Sequence, residues 1–155
     1  MSEAASESPT PGFLVWRLSM KWRLAVDRAV APLGLTHAQY SLLASLHGMR
    51  SGLRPSQRQL ADRTGLEALY VSKLARTLEA AGLIERAPDP ADTRAVRLSL
   101  TDHGREVTRR AITVVHQLLD QLMAPLGGLD GRRAEVFSRE LAILLDTPLD
   151  FPTEE

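Results

Sequence analysis

The chain has 155 residues, 44% of them hydrophobic and 25% charged, with 19 basic against 19 acidic side chains and no cysteine. That length and apolar content suit one domain with a proper core, and the lack of cysteine excludes a disulfide framework, a thiolate metal site and thiol-based redox sensing, leaving only methionine oxidation. No apolar run approaches the ~20 residues a bilayer span requires, and Met1 to Pro11 has neither the basic nor the apolar region of a signal peptide, so a cytoplasmic protein without a membrane partner is expected.

Residues 1–10, rich in Ser, Glu, Ala, Thr and Pro, are expected to be a tail. From about Pro11 or Phe13 to Ala31, the positions Phe13, Leu14, Leu18, Leu24, Val26 and Val30 recur around a helical period without internal Pro or Gly. This predicts a long first helix, which Pro32 and Gly34 end. Thr36 is the N-cap of a second helix with Tyr40, Leu43, Leu46 and His47 on one side. Gly48 to Pro55 reads as a loop with an extended piece around Leu53-Arg54-Pro55.

Ser56 is an N-cap, and Gln59 three residues on completes a capping-box pattern that opens a short helix through Leu60 to Arg63. Thr64-Gly65-Leu66 turns the chain, because Gly65 tolerates the left-handed conformation that ends a helix. A further helix follows, with Leu66, Leu69 or Tyr70, Leu74 and Leu78 spaced along one face and Gly82 at its end. Two helices joined by so tight a turn make a helix-turn-helix, whose second helix is shaped for a DNA major groove. Leu83-Ile84-Glu85-Arg86-Ala87 and Ala95-Val96-Arg97-Leu98-Ser99-Leu100 are strand candidates, the second alternating apolar and polar. Pro88 to Arg94 can continue neither, so a hairpin loop, or wing, is predicted between them.

Beyond the wing, Thr101 or Asp102 caps a helix from about His103 to Met123, with Val107, Val114, Val115, Leu118, Leu119, Leu122 and Met123 on a broad apolar face. Pro125 and Gly127-Gly128 stop it. Asp130 opens a last helix through Val136, Phe137, Leu141, Leu144 and Leu145, and 148–155 form an acidic tail. The terminal helices carry more apolar surface than one winged helix can cover, which predicts burial against a second copy of the chain.

Charge is unevenly distributed. Residues 50–110 carry 12 basic and 8 acidic side chains, whereas 111–155 carry 3 and 8. A cationic middle suits a nucleic-acid face, although an excess of this size would not by itself indicate DNA.

Asp92-Thr93-Arg94, then five residues, Leu100-Thr101 and Gly104 resemble the wing signature of the MarR family of transcriptional regulators. Gly34-Leu35-Thr36 with Gln39-Tyr40 and Leu43, then Leu60-Ala61, and Leu78-Glu79 with Gly82-Leu83-Ile84 fit the same pattern, so the resemblance runs from about Phe13 to Leu145. Lys73, where the family often has Arg, and Glu67 depart from it. The resemblance implies a mainly α fold with a small β-hairpin wing. In that fold a winged helix-turn-helix at 36–101 is flanked by dimerisation helices at 11–34 and 103–147. It also implies that Asp92 braces Arg94, which reaches DNA, and that repression is the commoner mode of regulation.

The candidate DNA contacts are Ala68, Tyr70, Ser72, Lys73 and Arg76 on the recognition helix and Asp92 and Arg94 on the wing. Arg86 and Arg97 on the strands join them, with Ser56, Gln57 and Arg58 where a helix N-terminus can meet a phosphate. Each has a plainer alternative: a solvated helix face, a cap, or an Asp92–Arg94 salt bridge that stiffens a turn. A second group, Trp16, Arg17, Met20 and Arg23 with His37, Tyr40 and His47, has the aromatic, thioether and cationic groups a small-molecule effector pocket uses. Ordinary core packing is its alternative. Binding of phenolic or anionic effectors between the dimer and DNA-binding parts is what the resemblance adds.

Enzymes find no support, since the four histidines lack metal-ligand spacing and no nucleophile motif or phosphate-binding loop is present. Asp89 and Asp92, in the hairpin tip, read as solvated carboxylates. No cofactor is expected. The partners expected are double-stranded DNA bearing an inverted repeat, a second copy of the chain, and a small effector. Two other functions stay open: a winged helix used for protein interaction, and a regulator answering to oxidants or metal.

Overall fold

Capping decides where the helices begin. The computed structural model describes residues 8–49 and 54–151, and within these the chain forms six α-helices and a two-stranded antiparallel hairpin. Helix α1, Pro11–Val30, starts where the Phe13 backbone N–H donates to Thr10 Oγ1 at 3.3 Å. Its last turns are buried through Val26 and Val30, but Phe13, Leu14, Leu18 and Leu24 of the predicted apolar stripe stay exposed. Gly34, at φ 75°, turns the chain. Helix α2, His37–Gly48, then opens with a full capping box between Thr36 and Gln39, and the His37 backbone N–H donates to Asp27 Oδ1 of α1 at 2.7 Å. Its buried stripe is Leu42, Leu43 and Leu46; Tyr40 is half-buried and His47 exposed, a rotation from the predicted face.

Helix α3, Gln57–Thr64, has the predicted capping box: the Gln59 N–H donates to Ser56 Oγ at 3.1 Å, and the Ser56 N–H to Gln59 Oε1 at 2.9 Å. Gly65 ends it at φ 73°. Helix α4, Ala68–Ala80, buries Val71, Leu74, Ala75 and Leu78. Leu66 precedes its N-cap Glu67, and Leu69 and Tyr70 face outward, so of the predicted stripe only Leu74 and Leu78 are buried. The helix begins two residues later than Leu66, and Val71 sets the phase that Leu74 and Leu78 continue.

Strands β1, Ile84–Pro88, and β2, Val96–Leu100, pair from Ile84 with Leu100 to Pro88 with Val96. Helix α5, Asp102–Met123, is capped by Thr101, whose Oγ1 accepts the Gly104 N–H at 2.9 Å. It buries Val107, Ala111 and Val115, while Val114, Leu118, Leu119 and Leu122 are only half-buried. Helix α6, Arg132–Asp146, takes Gly131 as its N-cap rather than Asp130, with no side-chain cap bond. The extended piece predicted around Leu53 begins outside the described residues.

The chain divides into two compact units within α5, one up to Val115 and one from His116 on. The first unit holds most of the buried side chains, with Leu42, Leu43, Leu60, Leu78, Ile84 and Leu98 at its centre. Each such burial contributes roughly 1.5–3 kcal/mol. In the second, Met123 and Ala134 are buried, and Ile143, Leu144 and Leu145 project from α6. Among the described residues no helix is long and apolar enough to cross a membrane.

Candidate nucleic-acid interface

The helix-turn-helix comprises α3, the Gly65 turn and α4. The Gly65 N–H donates to Ala61 O at 2.9 Å and the Thr64 hydroxyl to Leu60 O at 2.7 Å, which closes the last turn of α3 and sets the exit angle of the chain. Because α4 buries the stripe containing Val71, Leu74 and Leu78, helical geometry turns Leu69, Lys73 and Arg76 to the opposite side. All three are exposed, as is Ala68 at the helix start; Tyr70 is 44% exposed and Ser72 half-buried beside them. Leu69, at 75% exposure, is the residue that sequence reasoning left open, as an alternative to Tyr70 on either face. An apolar side chain at the start of an outward stripe that continues with Lys73 and Arg76 is a signal only once the helix phase is known.

The wing is held by a network deeper than its sequence suggests. Asp89 is buried rather than solvated. Its Oδ1 accepts the Ala91 N–H at 2.9 Å, and its Oδ2 accepts Arg97 Nε–H at 2.8 Å. The Ala91 N–H, followed by the Arg97 guanidinium, holds the Asp89 carboxyl below the usual carboxylate range. Arg97 also donates through Nη1 to Arg54 O at 3.0 Å and to Gln59 Oε1 at 3.2 Å. Its donors are turned inward, so Arg97 positions the wing instead of presenting a free cation. The Leu98 N–H donates to Pro55 O at 3.0 Å, and Ser56 bridges to Arg97, so the root of the wing is stitched to the start of α3.

Arg94 stands at the exposed tip. Asp92 Oδ1 accepts its backbone N–H at 3.0 Å. The predicted side-chain salt bridge between these residues is therefore replaced by an Asx-type turn that shapes the backbone, because at this spacing the carboxylate meets the N–H before any guanidinium. Arg86, half-buried, reaches toward Glu79 of α4 at 3.6 Å, which draws it into the body of the unit.

These elements enclose a cleft of about 720 Å³ lined by Ser56, Gln57 and Arg58 from the start of α3, Ala68 from the start of α4, and Asp92, Arg94 and Arg97 from the wing. Seven of the twelve residues proposed from sequence thus share one wall-to-wall site. Tyr70, Ser72, Lys73 and Arg76 continue along α4, whereas Arg86 turns away and Arg97, though it lines the cleft, directs its donors inward. Gln59 and Asp62 line the same cleft and were missed; Gln59 carries the signal, since it closes the capping box and also accepts from Arg97.

The effector candidates are less gathered. Trp16, Arg17 and Met20 lie on the exposed part of α1, with the Arg17 guanidinium 5.9 Å from the Phe13 ring centroid. His37 and Tyr40 are half-buried where α2 meets α1, near Arg23 and Asp27. Burial lowers the His37 pKa and raises that of Tyr40, so both are neutral near pH 7. His47 instead lines a different cleft of about 770 Å³ with Arg54, Glu85, Ser99 and His103, so the seven do not form one pocket.

A family model described as MarR family matches residues 33–95. The helix-turn-helix-type transcriptional regulator YdcH of Bacillus subtilis (strain 168) is 37% identical over 118 residues, spanning 76% of this chain and 80% of its own. The structure of the PcaV transcriptional regulator from Streptomyces coelicolor, in complex with its natural ligand, superposes with a TM-score of 0.75 at 26% identity, covering 95% of this chain and 97% of PcaV. The transcriptional repressor CouR, bound to a 23-mer DNA duplex, gives a TM-score of 0.76 at 27% identity over 93% of this chain and 99% of its own. With a family model over its helix-turn-helix and most of its wing, a relative 37% identical over 76% of the chain, and a repressor structure that superposes nearly end to end, the chain belongs to the MarR family of DNA-binding transcriptional regulators.

Proposed function

We propose that the protein is a homodimeric repressor that reads an inverted-repeat operator and is released by a small phenolic or anionic effector. The observation that carries the proposal is the outward stripe of α4, Leu69, Lys73 and Arg76, set beside the Arg94 wing on one braced scaffold. In a major groove, Lys73 and Arg76 suit guanine edges or phosphates, Leu69 suits a thymine methyl, and Ser56, Gln57 and Arg58 suit the flanking backbone. Arg94 at the wing tip suits the minor groove or its phosphates.

The apolar stripe of α1, with Phe13, Leu14 and Trp16 each more than half exposed, and that of α6, with Ile143, Leu144 and Leu145, support a second copy as the partner. Two copies would set two α4 helices about 34–36 Å apart, one duplex turn. CouR, a repressor bound to duplex DNA, supports both the nucleic-acid partner and the sign of regulation. PcaV, which carries its natural ligand, supports an effector. Arg23, His37 and Tyr40 are the candidates best placed together, with a cation and two neutral polar groups suited to a phenolic carboxylate. Such an effector acts by binding the state with wrongly spaced helices more tightly than the DNA-ready state.

Selection of bound duplexes from a random pool tests the proposal. A palindromic winner with half-sites one turn apart is expected; enrichment of a single unrepeated site, or of nothing, would overturn it.

A further inference from the structure

The turn that follows helix α4 lies directly against the first turn of α5. The Thr101 hydroxyl donates to Gly82 O at 2.6 Å and at the same time accepts the Gly104 N–H at 2.9 Å. Beside it, the Thr101 N–H donates to Leu83 O at 3.1 Å. Gly82 itself, at φ 73°, is the turn that follows α4. Gly104 is buried, and a Cβ there would fall on the Leu83 carbonyl oxygen, so the backbones of the two segments touch. Thus one hydroxyl caps α5 and also grips the exit of the recognition helix. The grip is separable from the cap, because the cap needs only an acceptor and the grip needs a donor.

We propose that Thr101 is a positioning residue that locks α4 to α5, so that the half-site spacing a dimer accepts is set at this joint. This rests on the operator-reading function proposed above. Helix α5 continues past Val115 toward the C-terminal apolar helix, so whatever fixes α4 on its first turn fixes α4 relative to the element that leads out of the DNA-binding unit. A slack joint lets α4 settle on half-sites displaced along the duplex; a tight joint does not.

The test uses the full chain and the operator won from the random pool, together with a version carrying one extra base pair between half-sites. That insertion moves one half-site by roughly 3.4 Å and turns it by about 35°. The ratio of the two dissociation constants is the readout. Thr101→Ser retains donor and acceptor and should keep the wild-type ratio. Thr101→Asp retains the capping acceptor but has no donor for Gly82 O, and the ratio should drop about three- to tenfold, the range one hydrogen bond corresponds to. Thr101→Val, lacking both, should lower it as well and serves if the aspartate variant does not fold. A purely structural role would weaken binding to both duplexes alike and leave the ratio unmoved. An unchanged ratio in a folded Asp or Val variant, or a lowered ratio in the Ser variant, overturns the proposal. If instead the wild type shows no preference between spacings, it is the operator-reading function that fails.

Discussion

Arg94 and Arg97, three residues apart, do different work because their surroundings differ. Arg94 projects from a turn whose backbone Asp92 holds, and nothing in the described contacts draws its guanidinium inward. Arg94→Ala should weaken operator binding and, if the contact is a phosphate, lower the salt slope by about 1 per protomer; titrations at several salt concentrations would read this. Unaltered affinity and slope would remove Arg94 from the interface. Arg97 acts through Asp89 and Gln59. Since the folded Asp89 carboxyl titrates below its ordinary value of 3.8, its contribution to stability is complete above that value. It is lost as pH falls through the depressed one. The gap in denaturation midpoint between wild type and Asp89→Asn should therefore be constant at neutral pH and close only in strong acid; a gap that closes near neutrality would refute the assignment. Leu69 is the residue the sequence left ambiguous. Leucine at helical spacing usually means core, and its outward direction follows only from the burial of Val71 and Leu74, which no local pattern distinguishes from burial of Leu69 and Tyr70.

At the level of elements, backbone chemistry legible in the letters was reproduced most faithfully. The Ser56–Gln59 capping box, the Gly65 turn and the hairpin between Ile84 and Leu100 each follow from short-range hydrogen bonding or φ preference, which neighbours in sequence supply themselves. Gly65→Ala meets no atom within 4 Å and suffers only the left-handed strain, so a loss of about 1 kcal/mol is expected. Gly104→Ala drives a methyl into the Leu83 carbonyl and should cost more, about 3 kcal/mol or above. Urea denaturation would rank the two; equal costs would mean that α5 does not approach Leu83 as described. The Asp89–Arg97 pair was not legible as such. Eight residues separate them, and only the register that sets Pro88 against Val96 brings the two together across the wing root.

For the whole molecule, the decisive feature is the apolar surface exposed among the described residues. Leu144 and Leu145 are 63% and 86% exposed near the end of α6, and Trp16 is 60% exposed on α1. In the proposed dimer these side chains are covered, so changing Leu144 and Leu145 to Glu should produce monomers with poor operator affinity. Sedimentation and a shift assay would show both effects, and dimers that persist would relocate the interface. The half-buried Leu118 and Leu122, to which the sequence pointed, are less suitable targets, because part of their surface is already covered within the unit.

By itself the sequence determined the order and kind of the elements, the capped helix-turn-helix and the wing signature that names the family, since these depend on periodicity, caps and turns a few residues long. Tertiary structure alone decided which side of α4 faces outward, that Arg97 is a brace while Arg94 is free to reach out, and that Thr101 joins α4 to α5. Those outcomes depend on contacts between residues distant in the chain, whose geometry exists only once Leu60, Leu78 and Leu98 have packed together.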